Sequence, residues 1–288
     1  MTIFNPKGTN HVLLSDYKNK KFHVYNPLTR KIIYQDKAYH TYTILSFCDY
    51  KKWIITGSSS EIGIWEKENY GFKNKCSTEG SSCIESLIPL EDKQQVLCFG
   101  DDKIVLVKIT ESSNPSLHIL KSLDKSGSKY GAVRLGEFKF IATQLDSTLL
   151  EVTINPQNND LSAVEILKEQ IPQTRHITSI GNNKCIAHTD NDKMYKIDFG
   201  KTPPEVIVIS KPGIDWHPAV VKGEHLFVYM DEGTIEMLDK ETGDVIKTFE
   251  NKLSTGFCRC NMVYLEDLNL LVSVGENVIQ HSICNLKI

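Results

Sequence analysis

The sequence is poor in arginine, has no long apolar run and shows no amphipathic helical stretch of ten residues or more, and each shortage removes a class of protein. Of 33 basic residues only Arg30, Arg134, Arg175 and Arg259 are arginine, and the formal net charge is −3. That balance is too small for a nucleic-acid footprint, so no nucleic-acid partner is expected. No stretch approaches the roughly 20 apolar residues of a spanning helix, so no membrane partner is expected either. The opening Met1–Pro6 lacks the apolar core of a signal peptide. There is no nucleophile elbow, phosphate loop or dinucleotide fingerprint, and no cofactor is expected. Cysteine is present eight times, at Cys48, Cys76, Cys83, Cys98, Cys185, Cys258, Cys260 and Cys284. Cys258-Arg259-Cys260 has no second pair at zinc-ribbon spacing, so no metal site is assigned to it. Thiols set inside strand patterns, as in Val96-Leu97-Cys98-Phe99, behave as small hydrophobes. Without a secretory signal they point to a reducing compartment, cytoplasmic or nuclear.

What the chain does have is a repeat. The hairpin Ile55–Trp65 reads as two short apolar strands around a Ser58-Ser59-Ser60 turn. Weaker copies place second strands near Phe22, Ile62, Ile104, Leu149, Met194, Ile235 and Val278, in steps of 40 to 45 residues. A repeat of that length, with about four strands in each unit, is the mark of a β-propeller. The expectation is therefore an all-β chain forming a single seven-bladed β-propeller over 1–288. Its units run approximately 1–37, 38–79, 80–125, 126–171, 172–212, 213–253 and 254–288. Unit two reads as strands Tyr42–Phe47, Trp53–Thr56, Ile62–Trp65 and Phe72–Lys75, called a to d. Unit seven reads as Asn261–Leu265, Leu270–Val274 and Val278–Ile283, after which Asn285–Ile288 is short for a fourth strand; the last blade is expected to be incomplete. The b–c turns carry Asp101-Asp102, Asp190-Asn191-Asp192, Asp231-Glu232-Gly233 and Gly275-Glu276-Asn277, residues suited to positive φ. Leu123–Ser128 reads as surface loop, and the scattered lysines as solvated surface.

Unit two resembles a WD40 repeat. His40 stands where that family places the histidine that opens a repeat, Thr56 or Ser58 at the strand-b hydroxyl, and Trp65 at the strand-c tryptophan. The resemblance implies that these four side chains support the blade from inside. The turn aspartate of the family network is absent, with Ser60 and Glu61 in its neighbourhood. Phe4-Asn5-Pro6-Lys7-Gly8 is similar to the turn between WD40 strands a and b. Met237–Val245 instead resembles repeats of quinoprotein-like propellers.

Arg134, Arg175 and Arg259 fall at or just before strand a of units four, five and seven. In a propeller, strand a lines the central channel and the d–a loops form one rim. The planar guanidinium binds carboxylate or phosphate at two points, which suits an acidic or phosphorylated segment of a protein partner. The same loops carry Tyr42, Tyr130, His176 and Trp216-His217, residue types common at interaction hot spots. Glu85 is placed as a neighbouring acid able to pair with an arginine. These residues mark the d–a loop face as the candidate partner surface of a non-catalytic scaffold in a larger complex. A second reading remains open: a propeller hydrolase or metal-dependent enzyme built on His40, His176 and His217. A third expectation is strand addition by a partner or a second copy beside Val278–Ile283, the open edge of the last unit.

Overall fold

The structure is a computed structural model. It describes residues 3–16, 20–35, 43–78, 83–145, 148–191, 193–209, 219–230, 234–249, 261–274 and 282–285. The described residues form six four-stranded antiparallel sheets and one three-stranded sheet, each built from strands consecutive in the chain. The first contains β1 (Ile3–Phe4), β2 (Val12–Asp16), β3 (Lys21–Asn26) and β4 (Lys31–Gln35). The second contains β5 (Ser46–Tyr50), β6 (Trp53–Gly57), β7 (Glu61–Glu66) and β8 (Phe72–Ser77). The third contains β9 (Ser86–Leu90), β10 (Gln95–Phe99), β11 (Lys103–Thr110) and β12 (Ser116–Asp124). The fourth contains β13 (Ala132–Arg134), β14 (Lys139–Gln144), β15 (Thr148–Ile154) and β16 (Leu161–Ile166). The fifth contains β17 (Thr174–Gly181), β18 (Lys184–Thr189), β19 (Met194–Asp198) and β20 (Glu205–Val208). The sixth contains β21 (Val220–Lys222), β22 (His225–Tyr229), β23 (Ile235–Asp239) and β24 (Val245–Phe249). The last contains β25 (Asn261–Leu265), β26 (Leu270–Val274) and β27 (Ser282–Asn285).

The expectation of seven blades is thus corrected to six complete four-stranded blades. Only three strands of a further sheet lie among the described residues. By contact density the chain divides into two compact units, Thr2–Ala132 with Val152–Ala163, and Val133–Glu151 with Val164–Ile288.

The core follows from the strand composition. A strand apolar along its whole length has no face to give to water, and must be covered on both sides. In β6 and β10 every residue is buried. In the first unit, Cys48, Tyr50, Trp53, Ile55, Ile62 and Ile64 of the second sheet pack on Ile84, Leu87, Val96, Cys98, Val105 and Val107 beside them. The opposite face of the second sheet sends Ile54 and Trp65 against Leu13, Phe22 and Val24. Period-two alternation therefore sorts each inner strand between two hydrophobic seams. In the second unit the same arrangement recurs, with Ile180, Ile186 and Met194 against Ala219, Leu226, Val228 and Leu238. Fourth strands are the exposed ones: Ile32, Ile33, Val164, Val208 and Ile246 are each at least 45% exposed.

Two local expectations are corrected. Strand a of the second sheet runs Ser46–Tyr50 rather than Tyr42–Phe47. Asp49 is a poor strand former by type, yet it is buried, with Lys67 Nζ 2.5 Å from one oxygen and the Lys7 N–H donating to the other at 2.8 Å. A two-residue turn at Lys51-Lys52, with Lys51 at φ +51°, then lets Tyr50 pair with Trp53. Positive φ is also not found at Asp101, Asp102, Asp190 or Asn191. Among the described residues it sits in a–b turns at Lys51, Gln94, Asn182, Asn183 and Asn269, in c–d turns at Arg30, Tyr70 and Asn159, in d–a segments at Cys83, Leu167 and Glu169, and in one b–c turn at Lys20. The b–c turn of the second sheet is shaped instead by hydrogen bonds.

Candidate functional site

In the second and third sheets the b–c turn and the described residues of the following d–a segment are tied together group by group. Three consecutive carbonyls of the Ser58-Ser59-Ser60 turn point at the crossing segment. Ser58 O accepts the N–H of Ile84 at 2.9 Å, Ser59 O that of Cys83 at 2.9 Å, and Ser60 O that of Thr78 at 2.8 Å. The Ser58 hydroxyl shapes the turn itself, accepting the Glu61 N–H and donating to the Glu61 carbonyl, both at 3.2 Å. The Ser46 hydroxyl donates to Ile84 O at 2.7 Å. Gly57 makes that approach possible, since a Cβ there would lie 2.5 Å from Ser46 Oγ and 2.6 Å from Ile84 Cγ2. Beneath the turn, the Trp65 indole N–H donates to the Thr56 hydroxyl at 3.0 Å, with both residues fully buried.

The next d–a segment is held by a side chain that composition alone hides. Lys129 is fully buried, and its ammonium, with three N–H donors, lies within hydrogen-bond distance of four carbonyls: Lys125 at 2.5 Å, Gly127 at 2.6 Å, Asp101 at 3.0 Å and Gly100 at 3.1 Å. The b–c turn of the third sheet and the segment that leaves it are thereby closed around one cation. The expectation that lysines are solvated surface fails here, because a buried ammonium needs its donors satisfied and this loop supplies the acceptors. The small residues Ser126-Gly127-Ser128 are the one sequence signal for such an approach. Leu123 and Asp124, read as loop, belong to β12. Cys83 stands at the same end, hydrogen-bonded to Ser59 and Asp101. Burial first, and then the charges of Asp101 and Glu85, raise its thiol above the ordinary value, which leaves it protonated and a weak nucleophile.

The sequence-derived site residues are distributed as follows. Thr56 and Trp65 lie in the blade interior, and Ser58 in the turn above them. Glu85 is half-buried in the d–a segment before β9, its N–H donating to Phe99 O at 3.0 Å. Tyr130 follows Lys129 in the segment before β13 and is also half-buried. Arg175 and His176 lie inside β17 rather than before it, where Thr174 pairs with Thr189 and His176 with His188, next to a b–c turn. Arg134 is the last residue of β13, and its guanidinium donates to Gly136 O at 2.9 Å and Glu137 O at 3.1 Å. Those carbonyls belong to the a–b turn, so Arg134 caps the strand end opposite the d–a segment. Arg134 and Arg175 thus sit at opposite ends of the first strands of their own sheets. His40, Tyr42, Trp216, His217 and Arg259 lie outside the described residues, as does Val278–His281 of the expected edge strand.

Among the described residues no group of three His, Cys, Asp or Glu side chains is placed to hold a metal ion. No helix among them is long and apolar enough to cross a membrane.

Solved structures share this arrangement. The β-propeller domain of Cps50 (Swd1) from Myceliophteria thermophila superposes with a TM-score of 0.74, covering 100% of this chain and 97% of that one, at 10% sequence identity. The fold is a WD40-type β-propeller. At that identity the likeness speaks for the fold alone, and the 1523 solved chains that match show how widely this propeller is shared. No protein-family model matches the sequence, and no curated protein does.

Proposed function

We propose that the protein is a non-catalytic interaction scaffold that takes a protein partner on the d–a loop end of its blades, as a subunit of a larger complex. The observation that carries this reading is the tying of d–a segments to b–c turns, three backbone bonds in one blade and the Lys129 cage in the next. A loop fixed in this way is ordered before a partner arrives, so less conformational entropy is lost on binding. The propeller fold shared with the Cps50 (Swd1) domain supports the same reading. Within the second unit Arg175 and His176 bring a guanidinium and an imidazole beside a b–c turn, groups that suit an acidic or phosphorylated segment, and within the first unit Tyr130 brings an aromatic ring to its own d–a segment. Arg134 is left out of the surface because its guanidinium serves the opposite turn. The free thiols at Cys48, Cys76, Cys83, Cys98 and Cys185 accord with a cytoplasmic or nuclear setting.

The test is a pull-down from native cells with the tagged full chain and the variant Tyr130→Ala/Arg175→Ala/His176→Ala. Partner recovery should fall at least tenfold while thermal unfolding stays a single cooperative transition, so that loss of binding is not loss of the fold. Equal recovery by the two proteins would remove this face from consideration.

Strand addition is the second element of the proposal. β27 is the last strand of its sheet and pairs through Leu270↔Asn285 to Ser273↔Ser282, with β26 as its one strand neighbour among the described residues. A partner strand added there would slow amide exchange at Ile283 and Cys284 when the partner is bound. Identical exchange with and without it would exclude the addition.

A further inference from the structure

The outer edge of the fifth sheet is unlike that of the other four-stranded sheets. β20 has β19 as its one strand neighbour in the sheet, and the two pair without a break from Tyr195↔Val208 to Asp198↔Glu205. The ladders onto β4, β8, β12 and β24 are each interrupted by a bulge. β16 carries an acid, Glu165, within its length. Bulges and charged side chains are the usual means by which an edge strand is kept from pairing with another chain. The run Val206-Ile207-Val208 has neither.

The Ile209 N–H continues the ladder, donating to Met194 O at 3.1 Å. Backbone groups alternate along an antiparallel strand. Glu205, Ile207 and Ile209 therefore turn their N–H and C=O groups toward β19, and Val206 and Val208 turn theirs outward. Among the described residues no turn or loop group meets those outward amides. Val206 and Ile209 pack on the seams to either side of the sheet, which fixes the strand. Ile207 is 43% exposed and Val208 53% exposed. The nearby charges are already paired: Lys201 stands 2.5 Å from Glu205, and Lys196 3.3 Å from Glu241. The edge is thus ordered, regular, apolar and without net charge.

We infer that β20 pairs with β20 of a second copy of this chain, antiparallel about a twofold axis at Ile207. A twofold contact needs a strand complementary to itself, and this one is. With Ile207 opposite Ile207, Val206 of each copy stands opposite Val208 of the other, and both pairs exchange their outward N–H and C=O groups. Charge decides against an acidic or basic segment as occupant, since it would find no free counter-charge here, whereas a second copy brings the same neutral run. The fifth sheets of the two copies then continue into one another. The contact uses the outer edge of this blade, and neither the d–a segments nor β27.

The test is sedimentation equilibrium of the full chain over a concentration series. The mass should rise from 32.6 kDa toward twice that value. Val208→Lys, at an exposed position, should weaken self-association at least tenfold, because each copy then places a cation in the shared ladder. Val208→Thr keeps a neutral β-branched residue and should associate as the wild type does. Amide exchange separates strand pairing from any other contact. The Val206 and Val208 amides should slow as protein concentration rises, and the Ile207 amide, which already faces β19, should not. The variant Tyr130→Ala/Arg175→Ala/His176→Ala should associate normally, and exchange at Ile283 and Cys284 should not follow concentration, so this contact and the two proposed above fail separately. A monomer at every concentration, a dimer that Val208→Lys leaves intact, or exchange at Val206 and Val208 that ignores concentration would overturn the inference.

Discussion

The second and sixth blades share one strand rhythm and are secured in opposite places. The second is held from inside, by the buried Trp65–Thr56 bond, by the close approach at Gly57 and by three turn carbonyls. The sixth carries its specific bonds on the surface, in the turn from β23 to β24. There one oxygen of the Asp239 carboxylate accepts the N–H groups of Glu241 and Thr242, both at 2.8 Å. The Asp239 N–H donates to Asp244 O, Gly243 donates back to Asp239 O, and Gly243 takes φ +78°. In the core of the sixth blade Phe227, Tyr229, Ile235 and Met237 pack against Met262, Tyr264 and Leu271. A repeat needs only its hydrophobic seams to recur; the polar bonds that finish each blade are free to differ.

The largest expected difference is at Trp65. Its ring lies edge-on to Phe22 at 4.8 Å and to Phe72 at 5.0 Å, fully buried. Trp65→Ala should cost on the order of 3–5 kcal/mol in urea unfolding, as a large core truncation does. Thr56→Val keeps the volume and strands the indole N–H, at about 1–3 kcal/mol. An unchanged unfolding midpoint for Trp65→Ala would mean that the interior of the second blade does not bear on stability.

Glycine sharpens the comparison at a smaller scale. At Gly57 an added methyl meets side-chain atoms of Ser46 and Ile84, which can yield by rotation. At Gly243 it meets the Ile209 carbonyl oxygen, with the backbone already at positive φ. Gly57→Ala should therefore cost about 1–3 kcal/mol, the usual range for an overpacked core. Gly243→Ala should cost at least as much, because a backbone carbonyl has no rotamer to escape into. Thermal melts of the two variants check this, and a smaller loss at Gly243 would show that the turn moves as a rigid flap.

How far these features were legible in the sequence depends on what surrounds each residue. Second strands were readable because both their faces are covered: β10 and β26 fall where their apolar runs place them. First strands were read unevenly: β25 falls where expected, whereas β5 ends in Asp49-Tyr50 and only the Lys67 contact makes that acid a strand residue. The WD40-like Trp65 and its hydroxyl partner announce themselves by spacing. Arg134 misleads, because spacing along the chain does not say to which strand end a long side chain will bond. Lys129 was invisible. A lysine in a polar loop is ordinary by sequence, and only the converging carbonyls make it informative.

The smallest expected effect concerns pH, at the Asp239 turn of the sixth blade. The Thr242 and Glu241 N–H bonds hold the Asp239 carboxyl below its ordinary 3.8. A carboxylate whose folded value is depressed adds stability that is fully present above the unfolded value and is lost as pH falls through the folded one. Acidification from neutral pH to about 4 should therefore leave this turn intact, and its contribution should fade only below that. Asp239→Asn keeps an oxygen that accepts both N–H groups but has no proton to gain. The two proteins should melt with a constant offset from pH 7 to pH 4, and the offset should narrow below it as the wild type loses its advantage. The Trp65–Thr56 bond contains no group that titrates in this range, so a Thr56→Val variant should keep its full offset from wild type throughout. If the Asp239→Asn curve runs parallel to wild type down to pH 2, the surface turn of the sixth blade does not depend on its charge.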